Sequence, residues 1–296
     1  MIIINYTISH NINNIYYIMF IYGIIVIVIL LIILLYVTKI KQINFVKKKN
    51  INKIFKSKNI QNYIKSNNKL ILEKRMNSYK YHNYELNCLD FNNLEKIYLK
   101  KLINKINKKI KKYKKLNNEW NLIKTRDTLE YGKPFTLDKY IFLPKYVIKL
   151  EDIEDTLIHE YIHINQRQNQ DRYNKLYEKY LDWYLLKDIE IPEIIKKNMI
   201  INPDGPNNNW YFHYKKNKII PFLIYENGNY NIKYYIIKNN KIMNEYLDNN
   251  EISNYLKNKY KIEDNYYHPN EILATILAEK ITNNKKIDKN LIHFIN

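Results

Sequence analysis

The sequence predicts an α+β fold in which an N-terminal transmembrane helix and a helical segment precede a domain of mixed helices and strands. Residues 15–37 contain no charged side chain, and apolar side chains in residues 91–120 recur at the three- and four-residue steps of a helix. Strand-like runs alternate with helical patterns in the rest of the chain. We therefore expect a short exoplasmic tail at residues 1–14, a basic juxtamembrane and helical region at residues 38–118, and the mixed domain at residues 119–296.

The uncharged run at residues 15–37 has the length and the flanks of a membrane span. A helix over this run rises roughly 34 Å, which is enough to cross a bilayer. Lysines follow the run and none precedes it, so the positive-inside rule places the N-terminus outside and the rest of the chain on the cytosolic side. The single cysteine, Cys88, agrees with a reducing compartment. We expect a single-pass membrane protein, with the lipid bilayer as a partner through residues 15–37.

The segment at residues 91–120 predicts a helix with one apolar stripe and one lysine-rich face. Such a helix either packs its stripe on the core or lies on an anionic membrane or a phosphate backbone. Packing on the core is the commoner arrangement. The stripe consists of Leu99, Ile103, Ile106, Ile110 and Tyr113.

The net charge of +20 raises the question of nucleic-acid binding. Only four of the 49 basic residues are arginine, the side chain that reads bases and phosphates with two parallel hydrogen bonds. The remaining basic residues are lysines spread over the whole chain. We therefore expect no specific nucleic-acid partner.

Two apolar runs between Phe135 and Leu150 predict at least one strand. A strand at the edge of a sheet could pair with an extended peptide through main-chain hydrogen bonds, and the alternative is an ordinary core strand. Further along, residues 171–189 predict a helix. Residues 210–247 predict strands, with a hairpin signal at Asn227-Gly228.

Residues His159 to His163 form an H-E-x-x-H sequence inside a helical pattern. The four-residue spacing places His159 and His163 on one face of a helix, one turn apart, so that both imidazoles can reach one tetrahedral zinc ion. Glu160 then lies beside the metal, where it can take a proton from a water molecule. The pattern favours a zinc-dependent hydrolase acting on peptide bonds. The alternative is an ordinary amphipathic helix with two surface histidines.

A catalytic zinc site needs a third protein ligand, and no histidine or aspartate follows His163 at the short spacing of some zinc enzymes. The first candidate is Glu271, in the first turn of a helix predicted to start near Pro269. His268 is the second candidate. Glu279 is a weaker candidate, and it could instead accept a hydrogen bond from a ligand histidine and so orient it. Acidic residues at helix starts are favoured without any metal, so the choice among the three stays open.

An H-E-x-x-H sequence followed far downstream by a glutamate on a second helix resembles the zincin metallopeptidases of the glutamate-ligand type, the gluzincins. The strings TLIHEYIHINQRQ, PFTL, NPDG and YHPNEILA are similar to predicted membrane-anchored metallopeptidases encoded by large DNA viruses. The resemblance implies a zincin-like catalytic domain at residues 119–296, with Zn²⁺ held by His159, His163 and Glu271 and with Glu160 as the catalytic base. The helix signature that many gluzincins carry near the third ligand is only loosely kept here.

Four further residues are candidates for supporting roles. Tyr211 and His213 lie in the strand-like segment, and either could donate a hydrogen bond to the oxyanion of a tetrahedral intermediate. Gln166 and Arg167 follow the motif closely and either brace the helix or face the substrate.

The function that the sequence predicts is therefore a membrane-anchored zinc metallopeptidase with a peptide or protein substrate. One alternative is a catalytically inactive zinc-binding membrane scaffold protein. A less favoured alternative is a basic membrane-tethered nucleic-acid binder.

Overall fold

The computed structural model describes residues 21–30, 43–67, 84–151, 153–205, 209–226 and 229–296. The chain divides into two units, Met1–Gln42 and Ile43–Asn296. Within the first unit, residues 21–30 form an α-helix, α1, whose side chains are exposed.

The predicted transmembrane helix at residues 15–37 is corrected by the structure, because no helix in the described part of the chain is long and apolar enough to cross a membrane. Residues 15–20 and 31–37 of the predicted span lie outside the described residues, as does the predicted tail at residues 1–14.

The predicted fold class included that transmembrane helix and is wrong for this reason. The described residues form a mixed α and β structure. The predicted localisation as a single-pass membrane protein is wrong for the same reason. The expected contact with a lipid bilayer through residues 15–37 depended on the same span and loses its basis.

A five-stranded sheet begins the second unit. Strand β1 (Ile43–Phe45) pairs parallel with β3 (Trp120–Thr125), which pairs parallel with β5 (Tyr140–Pro144). Strand β4 (Phe135–Leu137) lies at the edge, antiparallel to β5, and β2 (Cys88–Leu89) pairs antiparallel with the end of β3. Strands β1 and β2 come from the region that was predicted to be juxtamembrane, and they extend the same sheet as β3.

Helices α2 (Ile51–Phe55) and α3 (Lys58–Ser66) cover part of this sheet. Their buried side chains share a small core cluster with β4 and β5. This cluster includes Phe55, Ile60 and Tyr63 from the helices and Phe135 and Phe142 from the strands.

Helix α4 (Asn93–Ile110) has a reciprocal cap at its start. The backbone N–H of Glu95 donates to Asn92 Oδ1, and the backbone N–H of Asn92 donates to Glu95 Oε2, each at 2.8 Å. The five stripe residues are buried in the main core, which confirms the core-packing alternative for this helix. The helix is shorter than predicted because the chain turns after Ile110 and enters β3 at Trp120.

A second, six-stranded sheet is antiparallel throughout, in the order β11-β10-β9-β8-β6 with β7 paired to β9. The predicted hairpin residues Asn227-Gly228 lie outside the described residues, but Glu226 and Asn229 on either side of them are register partners. The strands are β6 (Trp183–Leu185), β7 (Met199–Ile200), β8 (Trp210–Tyr214), β9 (Asn217–Glu226), β10 (Asn229–Lys238) and β11 (Lys241–Leu247).

Helix α5 (Ile153–Gln168) packs against α9 (Pro269–Thr282), and both contribute to the main core. The helix predicted at residues 171–189 ends early, since a π-helical turn follows it and Asp182 then adopts a left-handed φ of 58° ahead of β6. The remaining helices are α6 (Gln170–Leu176), α7 (Glu193–Lys196), α8 (Asn249–Tyr260) and α10 (Lys289–Ile295).

Candidate metal centre

The predicted helix over the H-E-x-x-H sequence is confirmed as α5. Its first turn carries Glu154 and Asp155, at the helix end where carboxylates are favourable. Glu154 also forms ion pairs with Lys105 and Lys109 of α4, at 2.6 and 2.5 Å. Most of the helix is buried, so its position is set by packing on all sides.

His159 and His163 lie on one face of α5, with their Nε2 atoms 2.9 Å apart. The side chain of His163 is fully buried, whereas 14% of the His159 side chain is exposed. One imidazole of the pair is therefore shielded from solvent and the other is partly accessible, and their Nε2 atoms face the same site.

Glu271 comes to this pair from the first turn of α9. Its Oε2 atom lies 3.2 Å from His159 Nε2 and 3.5 Å from His163 Nε2. Ligand atoms about 2.0–2.2 Å from a tetrahedral metal ion lie roughly 3.3–3.6 Å from one another. The three atoms thus already have nearly the mutual spacing of three corners of such a site, and the group could hold a metal ion.

The two other candidates for the third ligand have different roles. His268 is the N-cap of α9, where its Nδ1 accepts a hydrogen bond of 3.2 Å from the backbone N–H of Asn270. Glu279 lies two turns further along α9 than Glu271 and pairs with Lys285 at 2.6 Å. Neither side chain belongs to the group around His159 and His163.

Gln166 fixes the orientation of His163. Its Oε1 lies 2.7 Å from His163 Nδ1, so Nδ1–H donates to it and Nε2 is left as the ligand nitrogen. Its Nε2 donates to the backbone oxygen of Asn270 in α9 at 2.9 Å. One buried amide thus joins the helix that carries the histidines to the helix that carries Glu271.

Asn202 performs the same task for Glu271. Its Nδ2 donates to Glu271 Oε1 at 2.6 Å and to the hydroxyl of Tyr267 at 2.9 Å. Its own Oδ1 accepts from the backbone N–H of Asp204 at 3.0 Å. With Oε1 occupied in this way, Oε2 is the carboxylate oxygen directed at the two histidines.

The pKa values of the buried ligands follow from their mutual contacts. Burial raises the pKa of Glu271, but the charge of His163 and the hydrogen bonds of both histidines hold it well below its usual range. Burial lowers the pKa of His163, but the carboxylate of Glu271 outweighs that effect and raises it to about 10. Glu271 is therefore ionised, which is the form in which a carboxylate binds a metal ion, whereas His163 carries a proton that must leave before its Nε2 can bind one.

Glu160 is buried beside this group, and its Oε2 has no hydrogen-bond partner within the part of the chain that the structure describes. Burial and the charge of Asp204 raise its pKa well above the usual range, against the opposing charges of His163 and Arg167. An unpaired buried carboxylate oxygen is costly unless a ligand or water completes its contacts. This residue can therefore exchange a proton with a molecule bound next to the group.

A cleft of about 840 Å³ contains His159, Glu160 and Glu271 in its lining. The hydroxyl-bearing residue Tyr267 lines it as well. The remaining walls come mainly from the segment before β4, the loop before β8, the starts of β10 and α8, and the loop before α9. The candidate centre is thus reached from solvent through a cleft that is large enough for several residues of a peptide.

The structure places the two residues that were candidates for oxyanion stabilisation outside this lining. The rings of Tyr211 and His213 contact each other edge to face, with ring centroids 5.6 Å apart, and each ring also contacts Tyr184 of β6. Arg167 braces the site, since its Nη2 donates to the backbone oxygen of Pro203 at 2.7 Å.

Sequence reasoning missed Asn202 and Asp204. Both belong to the NPDG string, which was quoted only as part of the resemblance. Nothing in that string indicated contact with Glu271, which is far away along the chain.

No protein-family model, no curated protein and no solved structure matches the chain. The resemblance to gluzincins therefore stays a prediction that depends on the motif residues.

Proposed function

We propose that the chain is a zinc-dependent peptidase of the glutamate-ligand type that hydrolyses peptide bonds. The observation that carries the proposal is the group of three ligand atoms within 3.5 Å of one another, next to the unpaired carboxylate oxygen of Glu160. Two imidazoles and one carboxylate are a ligand set of catalytic zinc sites, and such a set leaves a fourth position open.

Zinc bound by His159, His163 and Glu271 would supply a Lewis acid that polarises the peptide carbonyl and lowers the pKa of a water molecule to about 7. The protein residues have separate tasks. His163 is held by Gln166 and Glu271 by Asn202, so that the ligands keep their geometry during a reaction.

Glu160 is the proposed general base and acid. It takes a proton from the attacking water and later gives this proton to the nitrogen of the leaving amine. Its position supports this assignment, because Glu160 lines the same cleft as His159 and Glu271 and its Oε2 has no hydrogen-bond partner among the described residues.

Metal analysis of the purified full chain tests the binding half of the proposal. We expect one zinc per chain in the wild type, loss of zinc in His163→Ala, and weakened binding in Glu271→Ala. His213→Ala is the matched control, because it removes an exposed histidine outside the cleft. A folded wild type without zinc would contradict the proposal.

Cleavage of a randomised library of peptides about twelve residues long tests the catalytic half. We expect hydrolysis by the zinc-loaded wild type, and a loss of about 10²–10⁴-fold in Glu160→Gln with the zinc retained. Equal turnover in both proteins would exclude Glu160 as the base. A zinc-loaded wild type that cleaves no peptide would instead favour a structural metal site.

A further inference from the structure

The strand predicted between Phe135 and Leu150 is β5, which is an ordinary core strand because it pairs with β3 on one side and with β4 on the other. The neighbouring edge strand, β4, is also closed. Thr136 is the central residue of β4, and its backbone N–H donates to Asp204 Oδ1 at 2.5 Å. Its backbone oxygen accepts from Arg167 Nη2 at 3.4 Å. The outward-facing backbone groups of β4 are thus occupied by two side chains, and a peptide could pair there only by displacing both.

A different strand offers an open edge. Strand β10 pairs with β9 along its full length, but β11 reaches only as far as the pair Tyr234–Leu247. Among the described residues, no strand pairs with residues 229–233 on the β11 side. This half of β10, about 17 Å long, is an unpaired strand edge.

The direction of the backbone groups on this edge follows from the contacts of β9. The N–H of Tyr225 donates at 2.8 Å to the oxygen of Asn198, on the side away from β10. In an antiparallel ladder the backbone N–H and C=O groups of its register partner Tyr230 must then point away from β9. Pro221 has no N–H and is the register partner of Tyr234, so the backbone groups of Tyr234 also point away from β9.

Because alternate residues of a strand point the same way, the N–H and C=O groups of Ile232 face outward together with those of Tyr230. Tyr230, Asn231 and Ile232 line the same cleft as His159 and Glu160. The open edge therefore borders the space in front of the candidate metal centre.

We propose that the backbone groups of Tyr230 and Ile232 dock an extended polypeptide segment, which adds to the six-stranded sheet as a strand in line with β11. This inference rests on the proposed function, and it identifies the substrate as an unfolded segment held mainly through its main chain. Main-chain pairing gives affinity with little sequence preference, whereas selectivity comes from side-chain pockets beside the strand.

Amide hydrogen exchange, measured by NMR on the zinc-loaded full chain carrying Glu160→Gln, tests the docking directly. The probe is the best-cleaved peptide of the library, which this variant should bind without cleaving. We expect exchange at Tyr230 and Ile232 to slow by about tenfold or more when the peptide binds. The amides of Asn231 and Lys233 face β9 and serve as internal controls that stay protected in both states. Bound peptide with unchanged exchange at Tyr230 and Ile232 would overturn the inference.

A pair of variants gives a second test. Ile232→Pro removes the outward N–H without removing a hydrogen bond to β9, whereas Ile232→Val keeps this N–H and most of the side chain. We expect Ile232→Pro to raise KM about tenfold relative to Ile232→Val, with kcat and zinc content unchanged. Equal KM values in the two variants would overturn the inference.

If Ile232→Pro does not fold, peptides that are N-methylated at one amide at a time replace this test. With the wild-type protein, KM should rise when alternate amides of the peptide are methylated, because every second residue of a paired strand faces its neighbour. A KM that no methyl group changes would overturn the inference. If only the docking inference is wrong, the wild type still cleaves peptides. A zinc-loaded wild type that cleaves no peptide would contradict the proposed function, and with it the docking inference.

Discussion

The side-chain oxygen of Gln166 lies 2.7 Å from Nδ1 of His163, and this contact determines which nitrogen of the histidine faces the candidate metal centre. Gln166→Leu would leave Nδ1–H without its acceptor and the ring without its orientation. We expect metal affinity to fall about 10–100-fold, because partners behind a ligand histidine typically contribute that much. Competition with a chromophoric chelator measures the change.

Gln166→Glu is the matched control for that variant. Its carboxylate can still accept from His163, but it cannot donate to the backbone oxygen of Asn270. Metal affinity should therefore stay closer to that of the wild type than in Gln166→Leu, while the midpoint of thermal unfolding falls. Unchanged affinity in Gln166→Leu would show that the contact does not orient the ligand.

Asn202 should influence the metal through Glu271 alone. Asn202→Ala removes the donor to Glu271 Oε1, so the carboxylate loses its fixed orientation. We expect a fall of about tenfold or more in metal affinity, again measured by chelator competition. Tyr267→Phe removes the other acceptor of Asn202 and leaves the donor to Glu271 in place, so it should keep the wild-type affinity. Equal losses in the two variants would place the effect in the loop as a whole.

Gly205 leaves no room for a side chain. A Cβ atom at this position would lie 2.7 Å from Cε1 and 2.9 Å from Nδ1 of the buried His268 ring, which caps α9. Gly205→Ala should lower the free energy of unfolding by about 1–3 kcal/mol through this overlap. Denaturant unfolding at equilibrium measures the loss.

Gly23→Ala is the control for that substitution, because no atom of the described structure lies within 4 Å of the added Cβ. Gly23 lies in helix α1, where alanine is favoured over glycine by up to about 1 kcal/mol. Gly23→Ala should therefore cause no loss of stability, and a comparable loss in both variants would refute the steric explanation.

Acid should weaken the ion pair between Glu95 and Lys124, whose atoms lie 2.7 Å apart. Burial raises the pKa of Glu95, but the hydrogen bonds from Lys124 and Asn92 outweigh it and lower the pKa overall. A carboxyl group with a lowered pKa in the folded state stabilises the fold above its unfolded pKa of about 4.3. That contribution is lost as the pH falls through the lower, folded value.

Lys124→Met should accordingly lower the free energy of unfolding at pH 7 by about 1–3 kcal/mol. The difference from the wild type should shrink as the pH falls below about 4.3, because protonated Glu95 no longer forms the pair. Lys100→Met, which removes an exposed lysine of α4, the helix that carries Glu95, controls for the change in net charge. A difference that stays constant down to pH 2 would contradict the assignment.

Local features of this protein could be predicted from the residues alone. The spacing of His159 and His163 brings them to one helix face because an α-helix repeats every 3.6 residues, whatever the rest of the chain does. The same periodicity identified the buried stripe of α4. The apolar run at residues 15–37 was predicted to be a membrane span, but no helix among the described residues is long and apolar enough to cross a membrane.

The contacts between distant parts of the chain were decided by the tertiary structure. Packing of α5 on α9 selected Glu271 over His268, and the loop before β8 brought Asn202 to the far side of that carboxylate. The same loop closed the edge of β4 through Asp204. What the sequence by itself determined is a pair of imidazoles on one helix face and a carboxyl group next to them. The approach of Glu271, its orientation and the open edge of β10 depend on packing between elements, which no local spacing specifies.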